Sequence, residues 1–426
     1  MKNTKVAKLI VALRNGKVAS KYIGSGLLKT AAQAISGLIV LRWLEPESLG
    51  TWQSYTVFVG YLHILTLGVT SGLNRELPYW LGKGDVELGM ERLKTAGYFT
   101  TVLSFSLMLL ISLIASVLYI TNVFNLNQAV MMVLAFSTGA LAIQTNFLGA
   151  TYRSDQAFDK LAKIQLYISL LYFALIPLVY FFELWGYIAY EIALAVTLYV
   201  GYQFFRPYRV AYRFSTIQLK ELIKVGFPMY FWNYLAAMSR TIPRLILVLF
   251  GNPLLVGLFA PASSINAAML NLPDYINRYL FPKMSYKFGK NNDKNEIYKY
   301  TIKAAIYLFF VMMFGGVVLA LIIPYVFPIF FPKYVDGVLI AQIVIFSGVF
   351  YSINALFHNA LNSVKSFKPF KFIIVLRVIY IAGFTMLAYY FSNDLLLSVS
   401  IGAVFAEIFN TMSYLYFFQK IKLPNQ

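Results

Sequence analysis

The sequence predicts an all-α integral membrane protein: twelve transmembrane helices in two six-helix bundles related by a pseudo-two-fold axis along the membrane normal. Three features carry that expectation. They are twelve long apolar segments, loops that alternate between basic and non-basic, and short motifs that recur after 203 to 210 residues.

The segments fall near 22–42, 51–73, 95–119, 126–151, 161–182, 185–205, 223–250, 254–281, 300–323, 337–363, 370–391 and 395–418. Each is long enough for a hydrocarbon core that takes about 20 helical residues to cross. Only 12% of residues are charged and mean hydropathy is +0.67. Soluble domains carry about 25% charged residues, so the composition argues against a soluble fold. Tyr and Phe crowd many segment ends, as interfacial belts do.

The net charge of +19 is spread over many short loops, which points to topology rather than to a nucleic-acid partner. Thirty of the 36 basic residues fall at the two termini and at alternate loops, against two, Arg42 and Lys333, at the six intervening loops. The positive-inside rule then puts both termini in the cytoplasm, with an even number of spans crossing a plasma (inner) membrane. Four basic residues remain well inside segments, away from the segment ends: Lys29, Arg240, Arg244 and Arg377.

Residues 1–21 form a basic cytoplasmic stretch. Its apolar part, Val6 to Leu13, is short and interrupted by Lys8, unlike a cleavable signal. Residues 4–14 read either as an amphipathic helix on the leaflet surface, its lysines meeting anionic head groups, or as a basic tail that only sets topology. The N-terminal bundle spans 22–205, a basic cytoplasmic linker 206–222, the C-terminal bundle 223–418 and a cytoplasmic tail 419–426.

The duplication shows in three places. Pro46-Glu-Ser-Leu49-Gly50-Thr-Trp52 returns as Pro253-Leu-Leu-Val256-Gly257-Leu-Phe259, and Asn74-Arg75 with Pro78 returns as Asn277-Arg278 with Pro282. Phe136-Ser137, Ile143, Phe147 and Ala150 return as Phe346-Ser347, Ile353, Phe357 and Ala360. Six helices per copy is an even number, so both copies enter the membrane in the same direction, as parallel repeats do. That arrangement predicts a central cleft between two bundles.

Arg42-Trp-Leu-Glu-Pro46-Glu-Ser-Leu-Gly50-Thr-Trp52 resembles the first-loop signature of the polysaccharide-transporter flippases, members of the multidrug/oligosaccharidyl-lipid/polysaccharide exporter superfamily. Leu67-Gly68, Gly72, Asn74-Arg75-Glu76-Leu77-Pro78 and Gly82-Lys83-Gly84-Asp85 are similar to the end of their second helix and the loop after it. Arg244 to Gly251 and Val256-Gly257-Leu-Phe259-Ala-Pro-Ala262 are similar to the matching stretch of the second bundle. The resemblance implies an alternating-access flippase that carries a polyprenyl-diphosphate-linked oligosaccharide to the outer leaflet for surface polysaccharide assembly. Its partners would be that lipid-linked substrate, membrane lipids, and the glycosyltransferases and polymerase of the same pathway. Family members often carry Asp just before the arginine of segment 7, where this chain has Pro243, which weakens the case for cation coupling.

A diphosphate cargo requires a cationic groove at membrane depth. A lipid-facing Lys or Arg there costs about 2.5 to 3.5 kcal/mol on insertion scales. Arg240 lies about 23 Å along its helix from Val225 and about 16 Å from the far end at 1.5 Å per residue, so it either faces the cleft or pairs with an acid. Arg244, one turn on, either completes a diphosphate clamp through its rigid fork of donors or reaches the outer interface. Lys29 shares a stripe with Ser25, Gln33 and Ser36, which reads either as cavity-facing or as a lysine snorkelling to the cytoplasm. Arg377 and Glu407 lie at comparable depths on consecutive helices and read as a structural ion pair or as substrate and coupling groups. Asp274 and Glu191 are embedded acids that either couple an ion or cap a neighbour.

Nothing catalytic emerges. There is no phosphate-binding Gly-x-x-x-x-Gly-Lys-Ser/Thr loop, no cysteine, and no cofactor is expected. His63 and His358 are too few and too far apart for a metal site and read as packing residues. Two rivals remain. A membrane polymerase or ligase acting on lipid-linked sugars typically needs a large outward loop, and the longest outward connection here, 324–336, is short. A multidrug exporter of the related branch usually carries cations, which the embedded basic residues would repel.

Overall fold

The computed structural model describes residues 21–22, 24–267, 269, 273, 284, 293–363 and 368–422. Among them the chain is helix and turn with no strand, as expected of segments that must pair every backbone group internally in hydrocarbon. The helices are α1 (24–40), α2 (Pro46–Leu62), α3 (Val69–Lys83), α4 (Val86–Ile120), α5 (Leu126–Ser154), α6 (Phe158–Ala174) and α7 (Ile176–Phe204). They continue as α8 (Thr216–Ser239), α9 (Ile242–Phe250), α10 (Pro253–Ala267), α11 (Lys294–Phe330), α12 (Val338–Ser363), α13 (Lys368–Ser392) and α14 (Leu395–Lys422).

The chain is a multi-pass membrane protein. Among the described residues seven helices are long and apolar enough to span, and an eighth span forms if α2 and α3 are joined across a 48° bend. The twelve continuous segments read from hydropathy are therefore fewer as unbroken helices, and each interruption has a local cause. Segment 2 breaks at Leu67 and Gly68, both left-handed with φ of 49° and 72°. Segment 5 ends as α6 at Ala174, and α7 opens with Pro177 in its first turn. Glu183, at φ 48° and ψ −122°, makes the tight turn that hydropathy had placed between segments 5 and 6. Segment 7 breaks at Arg240 and Thr241, just before Pro243; proline lacks an N–H and its ring clashes with the carbonyl four residues back. Arg240 and Arg244 therefore do not lie on one continuous helix, contrary to the sequence expectation. Residues 4–14 and Asp274 lie outside the described residues. Residues 206–215 of the expected linker run without helix or strand before α8 begins at Thr216.

The contacts divide the chain into two compact units. One takes the chain up to Trp43 together with Tyr55–Tyr234; the other takes Leu44–Ser54 and everything from Leu235 onward. The first unit is centred on Val69, Leu73 and Leu77 of α3, Leu93 of α4, Phe147 of α5 and Leu222 of α8. There α3 and α8 touch backbone to backbone: a Cβ on Gly72 would lie 2.3 Å from the Leu222 carbonyl oxygen, and one on Gly226 would lie 2.1 Å from that of Gly68. Nearby, a buried ion pair joins Arg92 to Glu76. Glu76 also accepts from the Trp80 indole at 3.0 Å, and Arg92 donates through Nε to Gln218 at 3.2 Å.

In the second unit α11 to α14 pack around Leu356, Phe357, Ile373, Tyr414 and Phe418. The recurring motifs now acquire physical meaning. Ile143, Phe147 and Ala150 of α5 and their counterparts Ile353, Phe357 and Ala360 of α12 are all buried, at the spacing of four and three that keeps one helix face inward. The Pro-x-x-x-Gly motif marks a reciprocal contact. A Cβ on Gly50 would lie 1.7 Å from the Pro253 carbonyl oxygen, and one on Gly257 would lie 1.7 Å from that of Pro46. Each copy's glycine thus receives the other copy's proline carbonyl, a close approach that only residues without a side chain allow. Large apolar side chains such as Phe105, Phe314 and Met386 are exposed on α4, α11 and α13, as lipid-facing surfaces should be.

Glycine to alanine in a helix normally gains about 1 kcal/mol. Gly50→Ala and Gly257→Ala should instead each lower the thermal midpoint in detergent, while Gly383→Ala, with nothing within 4 Å of the added carbon, should be neutral or raise it. Equal behaviour of the three would refute the reciprocal contact.

Candidate functional site

The site is built from two helix faces with one spacing. On α12, Ser347, Tyr351, Asn354 and His358 follow one another at intervals of four, three and four; on α14, Ala403, Glu407, Asn410 and Tyr414 do the same. Such intervals stack side chains on one face. The first two members of each face, Ser347, Tyr351, Ala403 and Glu407, line a cavity of about 360 Å³ together with Arg377 of α13, Ser239 at the end of α8, Arg240 in the break, Arg244 of α9 and Ser263 of α10. A second cavity of about 170 Å³ shares Ser239, Tyr351 and Arg377 with the first. Both lie wholly within the second unit.

Arg377 and Glu407 form a buried ion pair, their side chains 10% and 5% exposed. Both ends are held further: Arg377 donates to the Ser239 hydroxyl at 2.8 Å, and Glu407 accepts from the Asn354 amide at 2.8 Å. Arg240 is exposed and donates to the Tyr351 hydroxyl at 2.8 Å. The guanidinium carbons of Arg240 and Arg377 each lie 5.5 Å from the centroid of the Tyr351 ring, so one aromatic ring holds two cations by its quadrupole. No carboxylate pairs with Arg240 among the described residues. Arg244 donates to the Ser263 hydroxyl at 2.7 Å, which in turn donates to the Ala260 carbonyl. The described lining thus sets three guanidiniums against one carboxylate, a donor-rich surface suited to an anion with several oxygens.

Of the residues singled out in the sequence, Arg240, Arg244, Arg377 and Glu407 meet in this cavity. Lys29, Gln33 and Glu191 belong to the first unit. Lys29 is partly buried and Gln33 exposed, while two members of the same stripe turn into the protein: Ser25 donates to Gln165 at 2.8 Å, and Ser36 accepts from Tyr190 at 2.9 Å. Glu191 accepts a hydrogen bond from Tyr187. His358 hydrogen-bonds Tyr414 at 3.2 Å and stacks on Phe370, and no acidic or histidine cluster among the described residues is placed to hold a metal ion. Sequence reasoning passed over Tyr351, Asn354, Asn410 and Ser263. The polar stripe on α12 was the available signal, but hydropathy averages hide uncharged polar residues three and four apart.

The helical fold of this chain recurs in solved membrane transporters. A multidrug resistance MATE family transporter of the MOP superfamily, solved in an inward-facing conformation, superposes with a TM-score of 0.77 at 14% identity, covering 92% of this chain and 94% of that one. The lipid II flippase MurJ in an inward closed conformation gives 0.70 at 12% identity, covering 94% and 89%. An outward-facing MATE transporter gives 0.64 at 14%, covering 95% of each. At such identities the likeness is one of fold. No curated protein sequence matches the chain. Residues 39–331 match the family described as polysaccharide biosynthesis protein, and the chain belongs to that family. The resemblance read from the first loop and second helix is borne out at that level.

Stripping one partner from a buried pair costs about 3–5 kcal/mol, whereas replacing both by apolar residues is often neutral. Arg377→Ala and Glu407→Ala should each lower the thermal midpoint markedly, and Arg377→Met combined with Glu407→Leu should recover most of the loss. A double variant no more stable than the worse single one would contradict the pairing.

Proposed function

We propose that this protein is an alternating-access flippase. Its cargo is a polyprenyl-diphosphate-linked oligosaccharide, moved from the cytoplasmic to the outer leaflet for surface polysaccharide assembly. In this reading the twelve apolar segments are the spans, two six-helix bundles form the halves, and both termini are cytoplasmic. The observation that carries it is Arg240. It is exposed to a cavity, oriented by Tyr351 and without a carboxylate partner among the described residues, although it belongs to an apolar segment where charge is expensive unless it is used. The family's description supplies the polysaccharide context, and a protein of similar fold is a lipid II flippase; a lipid-linked sugar joins the two.

Arg244 and Arg377 complete the diphosphate site. The candidate coupling acids are Glu191, Asp274 and Glu407, of which Glu407 is engaged by Arg377 and Asn354 and Glu191 by Tyr187. A cationic drug as cargo would meet like charge in this cavity.

The test is export of finished surface glycan, measured beside the membrane abundance of each variant. Arg240→Lys should retain part of the export because the charge remains, Arg240→Ala should lose most of it, and Arg240→Glu should abolish it, all at near-native abundance. Normal export by Arg240→Glu would remove the arginine from the substrate site.

A further inference from the structure

The second cavity has a different chemistry from the first. Asn354 and Asn410, 2% and 3% exposed, each bury a side-chain oxygen that has no hydrogen-bond donor. For Asn354 the orientation is fixed, because its Nδ2 donates both to the Glu407 carboxylate at 2.8 Å and to the Glu407 carbonyl at 3.2 Å. The oxygen must then face away from Glu407. Asn410 lies one turn from Glu407 on the same face of α14, and both asparagines line the 170 Å³ cavity. A buried acceptor left unmade is costly, and native proteins seldom leave one without a partner.

Those two oxygens call for a ligand that donates. A diphosphate offers only acceptors and cannot satisfy them; a sugar offers several hydroxyl donors. The remaining walls include aromatic and polar groups, among them Tyr351, Tyr414 and His358. The space is far larger than the roughly 10–15 Å³ that one water needs by the same measure. Arg377 lines both cavities, and its Nε is a buried donor without an acceptor, placed to serve a ligand that crosses from one to the other. The second cavity also lies toward the ends of α12, α13 and α14 that adjoin the basic loops, the end expected to face the cytoplasm.

We infer that the cavity bounded by Asn354, Asn410, Tyr414 and Tyr351 is a monosaccharide subsite that holds the sugar attached directly to the diphosphate, read by hydroxyl donors to the two asparagine oxygens. This inference rests on the diphosphate reading of the arginine cavity. It adds that recognition extends past the phosphates to the first sugar of the glycan.

The test uses the full-length protein in detergent and short-chain probes: farnesyl diphosphate alone, and farnesyl diphosphate carrying glucose, galactose or N-acetylglucosamine. At least one sugar-bearing probe should bind about tenfold more tightly than farnesyl diphosphate, the effect of one or two net hydrogen bonds. In Asn410→Leu, nearly isosteric but without the acceptor, the ratio of the two affinities should fall to about one, and Asn410→Val provides a second variant should leucine not be accommodated. A ratio that stays near tenfold in both variants, or a native protein that binds no sugar-bearing probe better than farnesyl diphosphate, overturns the subsite while leaving the diphosphate site standing. Farnesyl diphosphate that does not bind the native protein, or binds Arg240→Ala equally well, overturns the diphosphate reading and the subsite with it.

Discussion

Charge at membrane depth must be paired, hydrated or absent, and the second unit is arranged around that constraint. Arg377 meets it by pairing with Glu407, and the pair in turn orders its surroundings: Ser239 at the end of α8, Asn354 on α12 and the face of Tyr351 are all engaged by one or other partner. Arg240 meets it differently, by opening onto a cavity with only a hydroxyl and a ring beside it. The two guanidiniums share one aromatic ring but not one role. The first is paired with a carboxylate, and the second, among the described residues, is not.

Backbone breaks put these groups where they are. Pro243 ends α8 four residues earlier, so Arg240 sits in a turn rather than on a continuous helix, and Arg244 begins the next element. The two arginines still converge on one cavity. The reciprocal seating of Gly50 against Pro253 and Gly257 against Pro46 shows the same economy elsewhere in the unit: a duplicated motif supplies both halves of a contact, each copy providing the gap that the other fills.

Much of this was legible in the sequence. A lone charge in an apolar run stands out, so Arg240, Arg244, Arg377 and Glu407 could be picked by eye, and the antiparallel order of the last two segments was enough to bring Arg377 to Glu407. The repeats at Pro46 and Pro253 were visible too, although their spacing says nothing about the two copies touching. Hydropathy was blind to the break at Leu67, because a left-handed φ leaves an apolar residue apolar. It was equally blind to Asn354 and Asn410, which are uncharged and surrounded by apolar neighbours. The stripe through Lys29 misled in part: Ser25 and Ser36 share its periodicity yet hydrogen-bond to Gln165 and Tyr190 inside the first unit. Helical spacing identifies a face without saying what covers it.

In the proposed function the arginine cavity serves a lipid-linked diphosphate. The most direct measurement is transbilayer movement in proteoliposomes holding a polyprenyl-diphosphate-linked oligosaccharide in one leaflet, followed by its exposure to an impermeant glycosidase in the other. Protein-dependent movement should run well above that of empty liposomes, with little acceleration of a polyprenyl glycoside that lacks the diphosphate. Equal acceleration of both lipids, or of neither, would contradict it.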